Sequence, residues 1–230
     1  MAKKAHQSSD KNLEGIEHAL TRTEQFIEDN SKILTYIILG AVAVVLIFIG
    51  FKRLYLTPLE EEASSQMFVA ERLFNRDSFE LALNGYGTYP GFLEITEDYG
   101  MTETANLANY YAGICYLQLD DYENAVDYLE NFKTGDLLVG STKFATLGDA
   151  YAELGEYSQA VNAYNKGIDK FPNDFSTPLL LQKMGIVYEE MGDYEKAIDS
   201  YRKILKEYPE TPEGRAAERY IARAELKLAK

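Results

Sequence analysis

One stretch restricts this chain more than any other: ILTYIILGAVAVVLIFIGF, from Ile33 to Phe51. Its nineteen residues hold no charge and no proline, and only Thr35 and Tyr36 carry side-chain polar groups. At about 1.5 Å per residue such a helix reaches roughly 28 Å, close to the roughly 30 Å hydrocarbon thickness of a bilayer. Lipid offers no hydrogen bonds, so a lone segment must satisfy its own backbone, and a helix does so. Lys32 stops the run on one side and Lys52 and Arg53 stop it on the other. These three are the expected membrane-flanking residues, and Tyr36 and Tyr55 fall where interfacial aromatics are expected. A secretory signal has a short basic start and a shorter apolar region. Here a polar tail with six acids precedes the run. The sequence therefore predicts a tail over 1–31 with a weakly amphipathic helix, a transmembrane helix over 32–56 with 33–51 in the bilayer, and a large domain over 57–230.

Charge is distributed unevenly about this run. The formal net charge is −14, and the first 32 residues contribute only five of 23 basic and six of 37 acidic side chains. The excess of acid therefore lies beyond the tail. A negative surface repels phosphate backbones, so no nucleic-acid partner is expected. Cys115 is the only cysteine, which rules out an internal disulfide. His6 and His18 both precede the apolar run. The large domain thus has no histidine for a Ser-His or Cys-His pair or for a histidine metal site. Its glycines do not form a phosphate-binding loop. No catalytic residue, metal ligand or cofactor is expected, and acid pairs such as Asp120-Asp121 and Glu189-Glu190 read as solvated charge.

The large domain repeats itself. AVNAYNKGIDKFPND from Ala160 and AIDSYRKILKEYPET from Ala197 each place a Tyr four residues after the Ala and an aromatic-Pro pair further on. Upstream, FATLGDAYAELGEY and LQKMGIVYEEMGDY each place a Gly twelve residues before that Ala, at Gly148 and Gly185. Two antiparallel helices per unit explain this pattern. Gly and Ala admit close backbone approach, Tyr and Leu fill the surrounding space, and Gly155 and Gly192 turn the chain between helices. An earlier copy has Gly113, Tyr116 and Ala125. A degenerate first copy has Ala70 for Gly, Leu73 for Tyr, and Ala82 and Tyr86 in register. Extra residues near YPGFLEITEDYGMTE predict a loop or short helix. Thr57-Pro58, Thr177-Pro178 and Thr211-Pro212 read as helix starts, with Glu60 completing a capping box at the first. The final segment places Ala217, Tyr220, Ile221 and Leu226 on one apolar side. The fold class is all-α: one transmembrane helix, then a solenoid of about four helix pairs (59–90, 106–137, 141–174, 178–211) with a cap at 212–229.

These blocks resemble the tetratricopeptide repeat, whose signature runs W-x2-L-G-x2-Y, then A-x3-F, then P. The resemblance implies a protein-binding groove lined by the first helix of each pair. The groove positions would be Tyr110, Ile114, Leu117 and Gln118, then Asp149 and Glu153, then Gln182, Ile186 and Glu189. Some relatives clamp a chaperone's acidic C-terminus with Lys, Asn and Arg at such positions. This strip is apolar and acidic, so an apolar or basic segment fits better. The tail, the span, the basic-aromatic exit FKRLY and the repeat domain together are similar to the bacterial ancillary Sec translocon subunit (YfgM) family. That resemblance implies an inner-membrane protein with a cytoplasmic N-terminus and a periplasmic repeat domain. Its partners would be translocon subunits, a membrane-anchored chaperone and exported polypeptides. A scaffold for a cell-wall or outer-membrane assembly, and a cytosol-facing organelle import receptor, are the alternatives. Flanking charge does not choose between orientations, because Arg22 and Lys32 balance Lys52 and Arg53.

Overall fold

The computed structural model describes residues 26–27 and 29–229. Apart from Phe26 and Ile27, the tail stripe from Leu13 to Ile27 lies outside them. The chain divides into two units, Met1–Pro58 and Leu59–Lys230. In the first, α1 spans Ser31–Phe51 and none of its residues is buried. Its most apolar stretch has a mean hydropathy of 2.8, so its length and composition suffice to cross a membrane. Asn30 does not cap it: its side-chain amide donates back to the Phe26 carbonyl at 2.9 Å.

A wide π-helical turn over Lys52–Leu56 follows. Thr57 was expected to begin a helix, yet its backbone is already helical, with φ −66° and ψ −47°. Its hydroxyl donates to the Lys52 carbonyl at 3.0 Å. Proline at position 58 offers no N–H and crowds the carbonyl four residues back, and a wider turn relieves that conflict. The expected capping box is absent for the same reason: there is no helix start at Thr57 for Glu60 to close.

The helices that follow are α2 (Thr57–Phe74), α3 (Phe79–Asn84), α4 (Phe92–Asp98), α5 (Glu103–Gln118), α6 (Tyr122–Asn131), α7 (Leu137–Glu153), α8 (Tyr157–Lys170), α9 (Thr177–Glu190), α10 (Tyr194–Glu207) and α11 (Pro212–Leu228). Four hairpins, α2/α3, α5/α6, α7/α8 and α9/α10, share one joint. At the same position in each, the backbone turns left-handed: Asp77 (φ 56°), Asp120 (φ 60°), Gly155 (φ 74°) and Gly192 (φ 75°). The next N–H then closes on the first helix, on the carbonyls of Leu73, Tyr116, Tyr151 and Tyr188, at 2.8–3.0 Å. That six-to-one bond is the Schellman way of ending a helix. Aspartate tolerates the left-handed region better than most residues, which is how two hairpins manage without glycine.

Glycine sets the depth of the packing. A Cβ on Gly148 would sit 2.2 Å from the Tyr164 ring, one on Gly185 2.4 Å from the Tyr201 ring, and one on Gly113 2.6 Å from Leu129. The first hairpin has Ala70 there, fully buried. Tyr86, expected in register with Tyr164 and Tyr201, instead lies beyond the end of α3 and is 61% exposed. The insertion near Phe92 is the short helix α4, and Phe92 stacks on Tyr111 of α5 at 5.1 Å.

The apolar interior falls into two clusters. One runs from Met67 to Cys115 and the other from Ala125 to Ala217, with Tyr116 packed against both. Glu60 joins α2 to α5 across the first cluster. Its carboxylate accepts from the N–H groups of Glu103 (2.7 Å) and Thr104 (2.9 Å) and from the Thr104 hydroxyl (2.5 Å). It therefore caps a helix more than forty residues away, where the helix dipole also favours its charge. At the other end, α11 buries Ala217 and Ala224 and stacks Tyr220 on Tyr201 at 5.2 Å. Leu226, expected on that apolar side, is 70% exposed. Nine residues beyond Ala217 is two and a half turns, which carries Leu226 to the opposite face.

Candidate protein-binding cleft

Three successive first helices, α5, α7 and α9, approach one another and leave a cleft of about 440 Å³. Leu117 comes from α5, Asp149, Ala152 and Glu153 from α7, and Lys183, Ile186 and Val187 from α9. The joint after α5 adds Asp120, and Tyr122 follows at the start of α6. Leu117, Ile186, Ala152 and Val187 make the apolar part, and Asp120 and Glu153 stand exposed on it.

One bonded cluster crosses the cleft. The Tyr164 hydroxyl donates to Asp149 Oδ1 at 2.8 Å, and Lys183 Nζ reaches both Asp149 oxygens at 2.9 Å. Burial, then the Asp149 charge, pushes the Tyr164 hydroxyl well above the ordinary tyrosine value, so it stays a donor. With Lys183 held by Asp149, the outward-facing charges are Asp120 and Glu153. The cleft can therefore take an apolar side chain on its floor and a cation at its edge.

Of the expected groove residues, the cleft gathers Leu117, Asp149, Glu153 and Ile186. Tyr110 is half-buried and its ring lies 5.0 Å from Phe132; Ile114 is half-buried; Gln118 is exposed at the end of α5. Gln182 donates to the Tyr220 hydroxyl at 2.7 Å and so joins α9 to α11. Glu189 does not face a groove. Its side chain is 3% exposed, and it accepts from Tyr201 (2.8 Å), Arg223 (2.5 Å) and Lys227 (3.1 Å). Burial alone would raise the Glu189 carboxyl, but those three donors outweigh it and hold the group below its ordinary value.

The sequence reading missed Lys183, Asp120 and Tyr122, and it found no lysine on this strip. Lys183 stands three residues before Ile186, on the same helix face, so the 3.6-residue period contained the signal. Cys115 lies apart, fully buried in the first cluster, and burial pushes its thiol up to about 12. It is therefore protonated at neutral pH. The flanking residues Lys32, Lys52 and Arg53 are all exposed at the ends of the apolar helix.

Stacked helical hairpins with glycine notches and a shared turn define a repeat protein of the interaction-scaffold class. Tetratricopeptide-repeat family models match residues 107–134, 144–174 and 180–211, and these hairpins are tetratricopeptide repeats. No characterised protein matches the chain in sequence. Among solved structures, it is similar to the TPR-like repeats of a putative kinesin light chain from Podosopora anserina. The identity is 14% and the TM-score 0.56, over 74% of this chain and 88% of that one. It is also similar to the MamA protein, at 18% identity and a TM-score of 0.54, over 74% of this chain and 93% of that one. A third is a signal-transduction ATPase with a tetratricopeptide repeat sensor from Pyrococcus horikoshii, at 20% identity and a TM-score of 0.52, over 80% of this chain and 30% of that one. Likeness at this level of identity establishes the fold.

Proposed function

We propose that this is a single-pass membrane protein, spanning the bilayer over residues 32–56, whose repeat domain (57–230) holds a segment of another protein beside that bilayer. The observation that carries the reading is the convergence of Leu117, Ile186, Asp149 and Glu153 from three helices on one cleft. An apolar floor with an acidic edge suits an apolar segment bearing a basic side chain, the chemistry of many emerging export substrates. Tethering to a membrane raises the local concentration of a weak binder, so modest cleft affinity is sufficient. The layout resembles the ancillary Sec translocon subunit family. The finer proposal is therefore an inner-membrane protein with its repeats in the periplasm, serving translocon subunits, a membrane-anchored chaperone and exported polypeptides.

The test is affinity purification of the full-length protein in mild detergent. Translocon subunits and a membrane-anchored chaperone are the expected companions. Leu117→Ser combined with Ile186→Glu should lower their recovery at least tenfold. Recovery of cell-wall or outer-membrane assembly proteins alone would favour the envelope scaffold and overturn the translocon reading. In intact spheroplasts, added protease should digest the repeat domain. Digestion only after lysis would place the domain in the cytosol and favour an import receptor or another cytosol-facing role.

A further inference from the structure

A second cleft, on the first hairpin, carries the opposite charge to the first. It measures about 420 Å³ and brings together Arg72 and Arg76 with Val69, Leu81, Tyr86 and Tyr89. It shares no residue with the cleft on α5, α7 and α9. Three other clefts on the domain each carry at least one carboxylate: Glu103, then Asp149 and Glu153, then Glu60 and Glu61. This one carries two arginines and no acid, in a chain whose net charge is −14. The acids nearest in sequence, Glu71, Asp77 and Glu80, line none of it. Among the described residues, neither arginine forms a salt bridge or donates a side-chain hydrogen bond, although five ion pairs occur elsewhere.

Its walls are set in advance. α3 ends at Asn84, and Gly85 turns the chain at φ 92°, where a Cβ would meet the Tyr89 carbonyl at 2.6 Å. The chain then folds back, so that Tyr86 and Tyr89 exchange both backbone hydrogen bonds, at 3.0 and 3.1 Å. Tyr86, Tyr89 and Leu81 are left exposed. Arg72 stands on the last turn of α2 and Arg76 in the joint that follows, and both are exposed. Arg72 lies 6.0 Å over the Phe68 ring, a contact that steadies the guanidinium and leaves its N–H groups free. A site held in this way loses little freedom when it is filled.

We infer that this cleft is a second docking site, for an acidic segment of a partner protein that also carries an apolar side chain. The segment's carboxylates take Arg72 and Arg76, whose planar guanidinium forks suit paired carboxylate oxygens. Its apolar side chain lies among Val69, Leu81 and the two tyrosine rings. Charge complementarity decides the occupant: the carboxylate-bearing clefts disfavour an acidic segment, and this one attracts it. The notch is concave and the size of a few side chains, which suits a segment rather than the flat face of a second copy or of a bilayer. The first cleft, with its acidic edge, asks for the reverse charge, so one chain can hold two unlike segments at once. The inference needs neither the bilayer span nor the first cleft.

The test uses the full-length protein in nanodiscs of zwitterionic phospholipid, with short fluorescent peptides. One peptide alternates glutamate with leucine, a second glutamate with serine, and a third lysine with leucine. Fluorescence anisotropy should rise with the glutamate–leucine peptide, and the glutamate–serine peptide should bind roughly tenfold more weakly, having nothing for the apolar walls. Arg72→Glu with Arg76→Glu should weaken the glutamate–leucine peptide roughly a hundredfold, about tenfold for each charged hydrogen-bonding group lost. Arg72→Lys with Arg76→Lys should keep part of the affinity. Leu117→Ser with Ile186→Glu, in the first cleft, should leave it unchanged. Helical circular dichroism checks the fold, and Arg72→Gln with Arg76→Gln reads the same loss of charge should the glutamate pair unfold the domain. No binding of the glutamate–leucine peptide, binding that survives the arginine changes, or equal binding of both acidic peptides overturns the inference. Arginine-dependent self-association, or arginine-dependent flotation with phosphatidylglycerol vesicles, without peptide binding also overturns it and assigns the cleft to a second copy or to lipid. The lysine–leucine peptide reports on the first cleft, and its failure to bind overturns that reading while leaving this one standing.

Discussion

A carboxylate with 3% of its side chain exposed stays ionised only if donors surround it, and Glu189 has three. Its folded form binds a proton less readily than an ordinary carboxyl does. The unfolded chain restores the usual glutamate value of about 4.3. The stabilisation from Glu189 is therefore fully present above about pH 4.3 and fades as the pH falls through the lower folded value. Glu189→Gln should cost about 1–3 kcal/mol at neutral pH, since a buried network loses its charge. The gap between variant and parent should narrow in acid, as read from urea denaturation at pH 7 and pH 3.5. The sequence placed this residue in a groove because three- and four-residue spacing connects it to Ile186 and Gln182. Charge alone does not tell a solvated glutamate from a buried one whose partners, Arg223 and Lys227, lie more than thirty residues away.

At the level of elements, the hairpins were readable because their rules are local. A Gly-to-Ala spacing of twelve, a Tyr four residues after the Ala and a polar turn recur in the chain, and the same positions recur in the backbone at Gly113, Gly148 and Gly185. Gly185→Ala should cost about 1–3 kcal/mol, because the added methyl meets a Tyr201 ring that is itself fully buried. The extent of α3 was not readable. Ala70 looks like a mild substitute for glycine, but α3 stops at Asn84 on a left-handed Gly85, so Tyr86 lies past the helix and the register assigned to it fails. Glu60 was misread for a related reason: local motif rules assume the nearest helix start, and here the start it serves is that of α5. Glu60→Ala should cost about 1 kcal/mol. It should also speed amide hydrogen exchange at Glu103 and Thr104, while Glu60→Gln keeps part of the protection.

For the repeat domain as a unit, two apolar clusters joined at Tyr116 imply stability that is transmitted between neighbours. A chain ending at Glu210 lacks α11 and uncovers Tyr201, which Tyr220 stacks upon. Hydrogen exchange should then accelerate most in α9 and α10, less in α7 and α8, and little in the cluster around Phe92 and Ala108. An equal rise throughout would show one cooperative block instead. The count of helix pairs and the closing helix followed from the repeat pattern. The cleft followed only in part, because its floor depends on how three helices splay and Lys183 on which neighbour neutralises it.

The bonded triads Tyr164–Asp149–Lys183 and Tyr201–Glu189–Arg223 have a mechanical meaning. In each, the ring that fills a hairpin's own notch is tied through an acid to a cation on the next helix of the stack, Lys183 on α9 or Arg223 on the closing helix α11. Greasy surfaces slide over one another with little resistance, whereas a tie of this kind must rupture before adjacent hairpins can swivel. The later repeats should consequently flex as a stiff beam.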